Sequence, residues 1–470
     1  MLPSFAAVAS LVRRIVPLLL AAVAASSTAA TAAAASLQDP SLDALAAEQV
    51  ESGRTIGLAV AVVRGRDTLL LRGYGRANVE WDVPMPADAM FEVGSVAKQF
   101  AAVSILLLVD AERLRLDDDV RIWLPELDTD GRRITLRHLL SHTAGIFRFT
   151  EEAAWERNLF TPGFPRDSAA ALIRLTPFRF APGEAQAYSN AGIYLIGLVV
   201  ERASGQRYED FLAERIFAPL GMTRSMACDW QANVARRAQG YALQGGGVRR
   251  VPMVNYGWVF ASGNVCSTAG DLITWLQALH GGRLLSATSY AELVRPASLA
   301  DGTALQYGLG IKVGTDQAGQ RYIGHGGTAP GFRADVTWYP DAQLGVIVLM
   351  NTSAPNLSAS TLAATLAHRA LALPREDLRP FTGDPTPYVG RYRLVVGGNQ
   401  PDLVIEVSAS PEGLRFAPAG GRPQLLPWVG GRFYANNTMT FTFGRPGGGA
   451  GPMTELRRDD AGNHSVLQRE

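Results

Sequence analysis

The chain has 470 residues, 47% of them hydrophobic and 19% charged, more than a single hydrophobic core usually organises, so at least two domains are expected. Forty-four cationic side chains against 43 carboxylates leave a formal charge of +1. That balance excludes a basic face of the kind that holds a nucleic-acid backbone.

The first 35 residues read as an export signal: Arg13 and Arg14 precede an apolar run over 15–25 and an Ala-rich cleavage zone reaching Ala35. The mature protein is expected to begin near Ser36 and to reach the periplasm or the exterior by the general secretory route. No cysteine adjoins the cleavage zone to carry a lipid. An uncleaved anchor helix is the alternative, but the run is short for a bilayer, and no later run of about eighteen apolar residues predicts a membrane span. The two cysteines, Cys228 and Cys266, either pair, as an oxidising compartment permits, or stay as separate buried thiols; spacing does not choose.

A helix over 41–52 is followed by strands at 56–63 and 68–73, joined by Arg64-Gly65-Arg66-Asp67. From Ser95 to about Leu279 the pattern is mostly helical, with apolar residues at helical spacing over 100–108, 169–173 and 193–203. Strand-like runs return at 307–313, 320–324, 332–339 and 345–351, and a helix follows over about 358–371. Residues far apart in sequence therefore complete one sheet. A Pro-punctuated linker, 374–387, separates the body, 36–373, from a small all-β domain over 388–470, whose runs at 403–407 and 438–443 are split by Gly-rich turns. The glycine loop at 446–451 lacks the Lys-Ser/Thr pair of a phosphate cradle and reads as a flexible turn.

Three segments carry possible chemistry. In Phe91-Glu92-Val93-Gly94-Ser95-Val96-Ala97-Lys98-Gln99-Phe100, a serine at the first turn of an apolar helix has a lysine three residues on, on the same face. Serine needs a base beside it to act as a nucleophile, and lysine, with a pKa of about 10.4 in water, serves only where its surroundings favour the neutral amine. Only Lys98 and Lys312 are lysines against 42 arginines, which makes Lys98 informative, whereas Lys312 has no such partner in sequence. Ala187-Tyr188-Ser189-Asn190-Ala191-Gly192 precedes a second apolar helix and offers a phenol and an amide. Ile323-Gly324-His325-Gly326-Gly327-Thr328 ends a predicted strand, where glycines let backbone approach a ligand and an N–H after them can help the Ser95 N–H hold an oxyanion.

Taken together and in this order, these segments resemble the serine β-lactamase and penicillin-binding protein superfamily, with its Ser-x-x-Lys, Tyr-x-Asn and Lys-Thr-Gly-type motifs. The likeness is to class C β-lactamases and to related D-alanyl-D-alanine carboxypeptidases, D-aminopeptidases and esterases, over roughly 40–372. Further stretches share it: Ile134 to Ile146 with its Ser141-His142-Thr143-Ala144-Gly145, Pro182-Gly183-Glu184, and Phe260 to Thr268. The resemblance implies an α+β fold, an antiparallel sheet flanked by helices with a mostly helical subdomain, followed by a small lipocalin-like β domain. It implies Ser95 as nucleophile, Lys98 as proton acceptor and Tyr188 as its partner in proton shuttling, the general base being one of these two. Asn190 would orient the lysine and the acyl group, His325 would hold the third-motif position with Gly326 and Gly327, and the Ser95 and Thr328 amides would form the oxyanion hole. No metal or cofactor is implied.

One departure stands out. A histidine replaces the third-motif lysine, and with an ordinary pKa of about 6.5 it offers no permanent cation to a substrate carboxylate. An ester or D-amino-acid peptide then fits better than a β-lactam. His138 and His142, four residues apart, lack a third zinc ligand and read as structural. Asp117-Asp118-Asp119 reads as a solvated loop, and no Gly-x-Ser-x-Gly elbow occurs. The expected activity is a serine hydrolase acting on a small-molecule or peptide substrate. The alternative is a recognition module for cell-wall peptides that has lost turnover.

Overall fold

The computed structural model describes residues 39–146, 178–229, 231–354, 358–373, 381–397, 402–429, 432–435, 439–446, 451–460 and 463–470. The expected export signal over 1–35, the 169–173 run, residues 374–380 of the expected linker and 447–450 of the glycine loop lie outside the described residues.

Strands β1 (Gly57–Arg64), β2 (Asp67–Asn78), β3 (Val83–Pro84), β4 (Lys312–Thr315), β5 (Arg321–Ala329), β6 (Phe332–Tyr339) and β7 (Leu344–Met350) form one antiparallel sheet in the order β3-β2-β1-β7-β6-β5-β4. The early strand β1 pairs with the late strand β7, Leu58 opposite Met350 and Arg64 opposite Leu344. Both are apolar along their length because both faces of the sheet centre are covered. On one face Leu58, Val60, Val62, Val346 and Val348 bury against Leu42 of helix α1 (Pro40–Glu51) and against Leu362 and Leu366 of α5 (Ala359–Ala370). On the other, Ala59, Ala61, Ile347 and Leu349 join the core built with α2 (Ala97–Asp110), α3 (Asn190–Ser204) and α4 (Ala269–His280). Alanines there let the helical layer approach closely. Helix α2 is buried nearly all round, with Phe100 stacked on Trp275 at 4.0 Å; a helix so enclosed needs no polar face.

The sheet departs from the sequence reading in two places that matter for the site. The run 307–313 is strand only from Lys312, because Gly308 and Gly310 turn the chain before it; Gly310 has φ +64 and donates to the Leu140 carbonyl at 2.9 Å. Strand β5 continues past Gly324 to Ala329, carrying His325 to Thr328 within the sheet, since it pairs with β6 around the turn at Gly331. The helical stretch also contains a hairpin, Tyr241–Gln244 with Gly247–Arg250, and a short pairing of Phe91–Glu92 with Cys266–Ser267. Gly245 and Gly246, both at positive φ, make that hairpin turn.

The C-terminal residues form a separate nine-stranded sheet in which the last strand, Asn463–Arg469, lies between Gly390–Gly397 and Glu455–Asp460. Tyr392, Ile405, Leu414, Phe433, Phe441 and Leu467 fill its interior. It meets the main body at a bridge between Gln186 and His464. Among the described residues no helix is long and apolar enough to cross a membrane. Cys228 and Cys266 form a disulfide, with Cα atoms 5.0 Å apart.

Candidate active site

Ser95 lies in a tight 3-10 turn, Gly94–Val96, that opens directly onto α2. This turn abuts β5 with no room for side chains between them. A Cβ on Gly94, at φ +53, would fall 2.9 Å from the Thr328 nitrogen, and one on Gly327 would fall 1.9 Å from the Val93 carbonyl oxygen and 3.3 Å from the Ser95 nitrogen. The Ser95 and Thr328 amides thus flank one contact between nucleophile turn and strand.

Lys98, one turn along α2, has no solvent exposure. Its Nζ lies 3.0 Å from Ser95 Oγ, 2.8 Å from Asn190 Oδ1 and 2.8 Å from the Ser262 carbonyl oxygen. An ammonium would give one proton to each of these three acceptors. A neutral amine would give its two protons to Asn190 and Ser262, which accept only, and aim its lone pair at the Ser95 hydroxyl. Asn190 opens α3, whose N-cap Ser189 accepts from the Gly192 N–H at 3.2 Å. Tyr188 precedes that cap, and its ring centroid is 4.8 Å from Lys98 Nζ.

His325 is buried and is held neutral. Burial, followed by the charges of Lys312 and Lys98, drives its pKa well below the ordinary imidazole value. Its Nε2 is 2.9 Å from the Tyr307 hydroxyl and its Nδ1 2.6 Å from the Gly326 carbonyl oxygen. The missing third-motif lysine is therefore not replaced by an imidazolium.

A cleft of about 480 Å³ brings Ser95, Tyr188, Asn190, His325, Gly326, Gly327 and Thr328 together; Lys98 sits beneath it. Further residues that sequence reasoning did not place at the site line the same cleft, among them Lys312, Arg333 and Asn463. Lys312 stands at the start of β4, opposite Gly324, and Arg333 stands on β6 opposite Thr328 of β5, with one of its guanidinium nitrogens donating to the Phe332 carbonyl at 2.9 Å. Asn463 belongs to the C-terminal sheet, and its Oδ1 accepts from the Tyr188 N–H at 2.9 Å. The scarcity of lysine in an arginine-rich chain was the one sequence signal pointing to Lys312; nothing local marks Arg333 or Asn463.

The remaining candidates fall elsewhere. His138 closes a capping box with Thr135, His142 is buried against Tyr188, and among the described residues no group of His, Cys, Asp and Glu is arranged to hold a metal ion. Asp117 pairs with Arg137 at 2.9 Å and Asp119 caps a short 3-10 turn, so the acidic run is tied down.

Comparison with known proteins agrees with this geometry. The family described as Beta-lactamase matches residues 42–371. The chain is similar to the D-aminopeptidase of Brucella canis, 28% identical over 438 residues that span 92% of this chain and 79% of that protein. Among solved structures it resembles a D-stereospecific amidohydrolase from Streptomyces sp., 27% identical with a TM-score of 0.59, covering 67% of this chain and 94% of that one. The octameric penicillin-binding protein homologue from Pyrococcus abyssi shares the fold over 91% of this chain and 99% of its own, with a TM-score of 0.65 at 21% identity. A matched region that takes in Ser95, Tyr188, Asn190 and His325 in one cleft, with Lys98 beneath it, leaves a single assignment: the chain belongs to the β-lactamase family and is a serine hydrolase.

Proposed function

We propose that the protein is an exported hydrolase that cleaves an amide bond next to a D-amino acid, in a peptide carrying a carboxylate, through an acyl-enzyme on Ser95. The observation that carries this reading is the placement of Lys98 Nζ, 3.0 Å from the Ser95 hydroxyl and held by two carbonyl acceptors. Ser95 Oγ bonds to the substrate carbonyl carbon while its proton passes to Lys98, directly or through Tyr188. The Ser95 and Thr328 amides hold the resulting oxyanion. The C–N bond then breaks as the leaving nitrogen takes the proton, and water attacks the Ser95 ester to release the acid and restore the hydroxyl.

The D-aminopeptidase and D-stereospecific amidohydrolase relatives support a D-amino-acid amide bond. Lys312 and Arg333, two cations in a cleft lined by no carboxylate among the described residues, support a substrate with a carboxylate. The disulfide between Cys228 and Cys266 and the leader-like residues 1–35 support an oxidising destination outside the cytoplasm. The test is a panel of D-alanyl peptides, p-nitrophenyl esters and nitrocefin on purified protein, with fluorophosphonate labelling. Turnover of the peptides and loss of labelling in Ser95→Ala are expected. Labelling that persists in Ser95→Ala overturns the nucleophile, and a single acylation burst with no second turnover overturns hydrolysis in favour of recognition.

A further inference from the structure

Behind the cleft, three buried groups form one hydrogen-bonded line that the catalytic reading does not use. His142 Nδ1 accepts from the Ser189 N–H at 3.2 Å, His142 Nε2 lies 3.2 Å from the Tyr307 hydroxyl, Tyr307 lies 2.9 Å from His325 Nε2, and His325 Nδ1 lies 2.6 Å from the Gly326 carbonyl oxygen. The two ends fix every proton between them. A backbone N–H can only donate, so His142 Nδ1 is bare and its proton is on Nε2, directed at the Tyr307 oxygen. A carbonyl can only accept, so His325 carries its proton on Nδ1, and its bare Nε2 receives the Tyr307 hydroxyl.

We propose that Tyr307 is a positioning residue, whose hydroxyl joins His142 to His325 in a one-way hydrogen-bond chain that fixes both rings as neutral, single tautomers and holds the wall of the cleft against Tyr188. Protonating His325 would leave the Tyr307 proton without an acceptor, and protonating His142 would set an N–H against the Ser189 N–H. Tyr188 depends on this wall, its ring lying 4.4 Å from His142 and 6.2 Å from His325, next to Ser189, whose amide is the first donor of the chain. The parts are braced from outside: His142 has φ +61 and its carbonyl accepts from the Ala187 N–H at 3.0 Å. The Tyr307 carbonyl accepts from the Ala297 N–H at 2.8 Å. The charged and titratable groups around His325 are Lys98, Lys312, His142, Tyr188 and Tyr307, with Asp316 and Asp335 lining a small pocket beside it and Lys312. Burial pushes the Asp335 carboxyl toward its neutral form, and neither carboxylate is hydrogen-bonded to the ring, whose two nitrogens face Tyr307 and the Gly326 carbonyl.

The test is a long-range ¹H–¹⁵N spectrum of the full chain labelled at histidine, recorded on wild type and Tyr307→Phe, with kcat and KM measured against pH on a p-nitrophenyl ester. In wild type, His142 is expected as the Nε2–H form and His325 as the Nδ1–H form, with no titration between about pH 5 and 8. In Tyr307→Phe one ring switches tautomer or titrates in that range, and kcat falls by roughly tenfold with KM little changed. A wild-type ring that titrates there or shows the other tautomer overturns the proposal, as does a variant whose spectrum and pH profile match wild type. The spectra decide even where the variant fails to fold, and they need no turnover, so they separate this chain from the hydrolase reading on which the kinetic arm rests.

Discussion

Gly327→Ala tests the contact on which the oxyanion site depends. The added Cβ would lie 1.9 Å from the Val93 carbonyl oxygen and 3.0 Å from its carbon, both backbone atoms that cannot rotate away. Ordinary contact begins at 3.4 Å, so β5 and the Ser95 turn must part by roughly 1.5 Å. A misplacement of about 1 Å near reacting atoms costs on the order of 10²-fold in rate, or about 2.7 kcal/mol of transition-state stabilisation. The neighbouring Gly326→Ala supplies the contrast: its Cβ would meet Ser360 Oγ at 3.2 Å, a hydroxyl that can give way. We expect kcat/KM on a chromogenic ester to fall about 10²-fold or more in Gly327→Ala and far less in Gly326→Ala, with thermal unfolding reported alongside. Equal losses in the two variants, or full activity in Gly327→Ala, would refute the claim that strand and nucleophile turn must touch.

Replacing Lys98 by Met keeps much of its volume but removes the base and leaves the Asn190 and Ser262 oxygens without their donor. Steady-state assays should show kcat down roughly 10²–10⁴-fold, and urea unfolding a loss of about 1–3 kcal/mol. Lys312→Ala should raise KM roughly tenfold for a carboxylate-bearing D-peptide and leave a neutral ester unaffected; equal effects on both would remove Lys312 from substrate recognition. Glu92 gives a pH dependence of stability: burial, opposed by Tyr256 and Arg237, pushes its carboxyl from 4.5 up to about 7. The folded state therefore binds this proton more tightly than the unfolded one, and its contribution of about 3 kcal/mol, complete below about pH 4.5, is lost as pH rises through about 7. Unfolding midpoints measured from pH 5 to 8 should fall in wild type and flatten in Glu92→Gln.

The parts of the site legible in sequence are those where chemistry is local. Ser95 and Lys98 stand one helical turn apart, and Tyr188 and Asn190 flank a capping serine, so spacing alone sets them side by side. The strands β1 and β7 were legible for a similar reason: covered on both faces, they are apolar nearly from end to end, whereas β6 was legible through its alternation of Phe332, Ala334, Val336 and Trp338 with Arg333, Asp335 and Thr337. What stayed hidden depends on chain crossings. Lys312 reaches the cleft because Gly308 and Gly310 turn the chain just before β4, and Asn463 because the last hairpin of a separate sheet comes to rest on the Tyr188 amide. Neither position carries a local pattern. The histidine at 325 was legible as a departure, but its protonation was not, because that is set by its burial in the folded chain and by Lys312 and Lys98 from other segments.

That protonation bears on why a histidine can stand where a lysine is usual. The cleft already holds Lys312 and Arg333, with Lys98 directly beneath it and no carboxylate among its described lining residues. A further permanent cation at 325 would face the same charges that, after burial, drive the imidazole toward its neutral form, and a buried like charge is disfavoured on both counts. A neutral ring avoids that repulsion and still gives β5 a rigid buttress through Gly326. In the proposed function, recognition of a substrate carboxylate falls instead to Lys312 on β4 and Arg333 on β6. Position 325 is thereby free to serve geometry, which is the part of the work that Tyr307 and His142 secure.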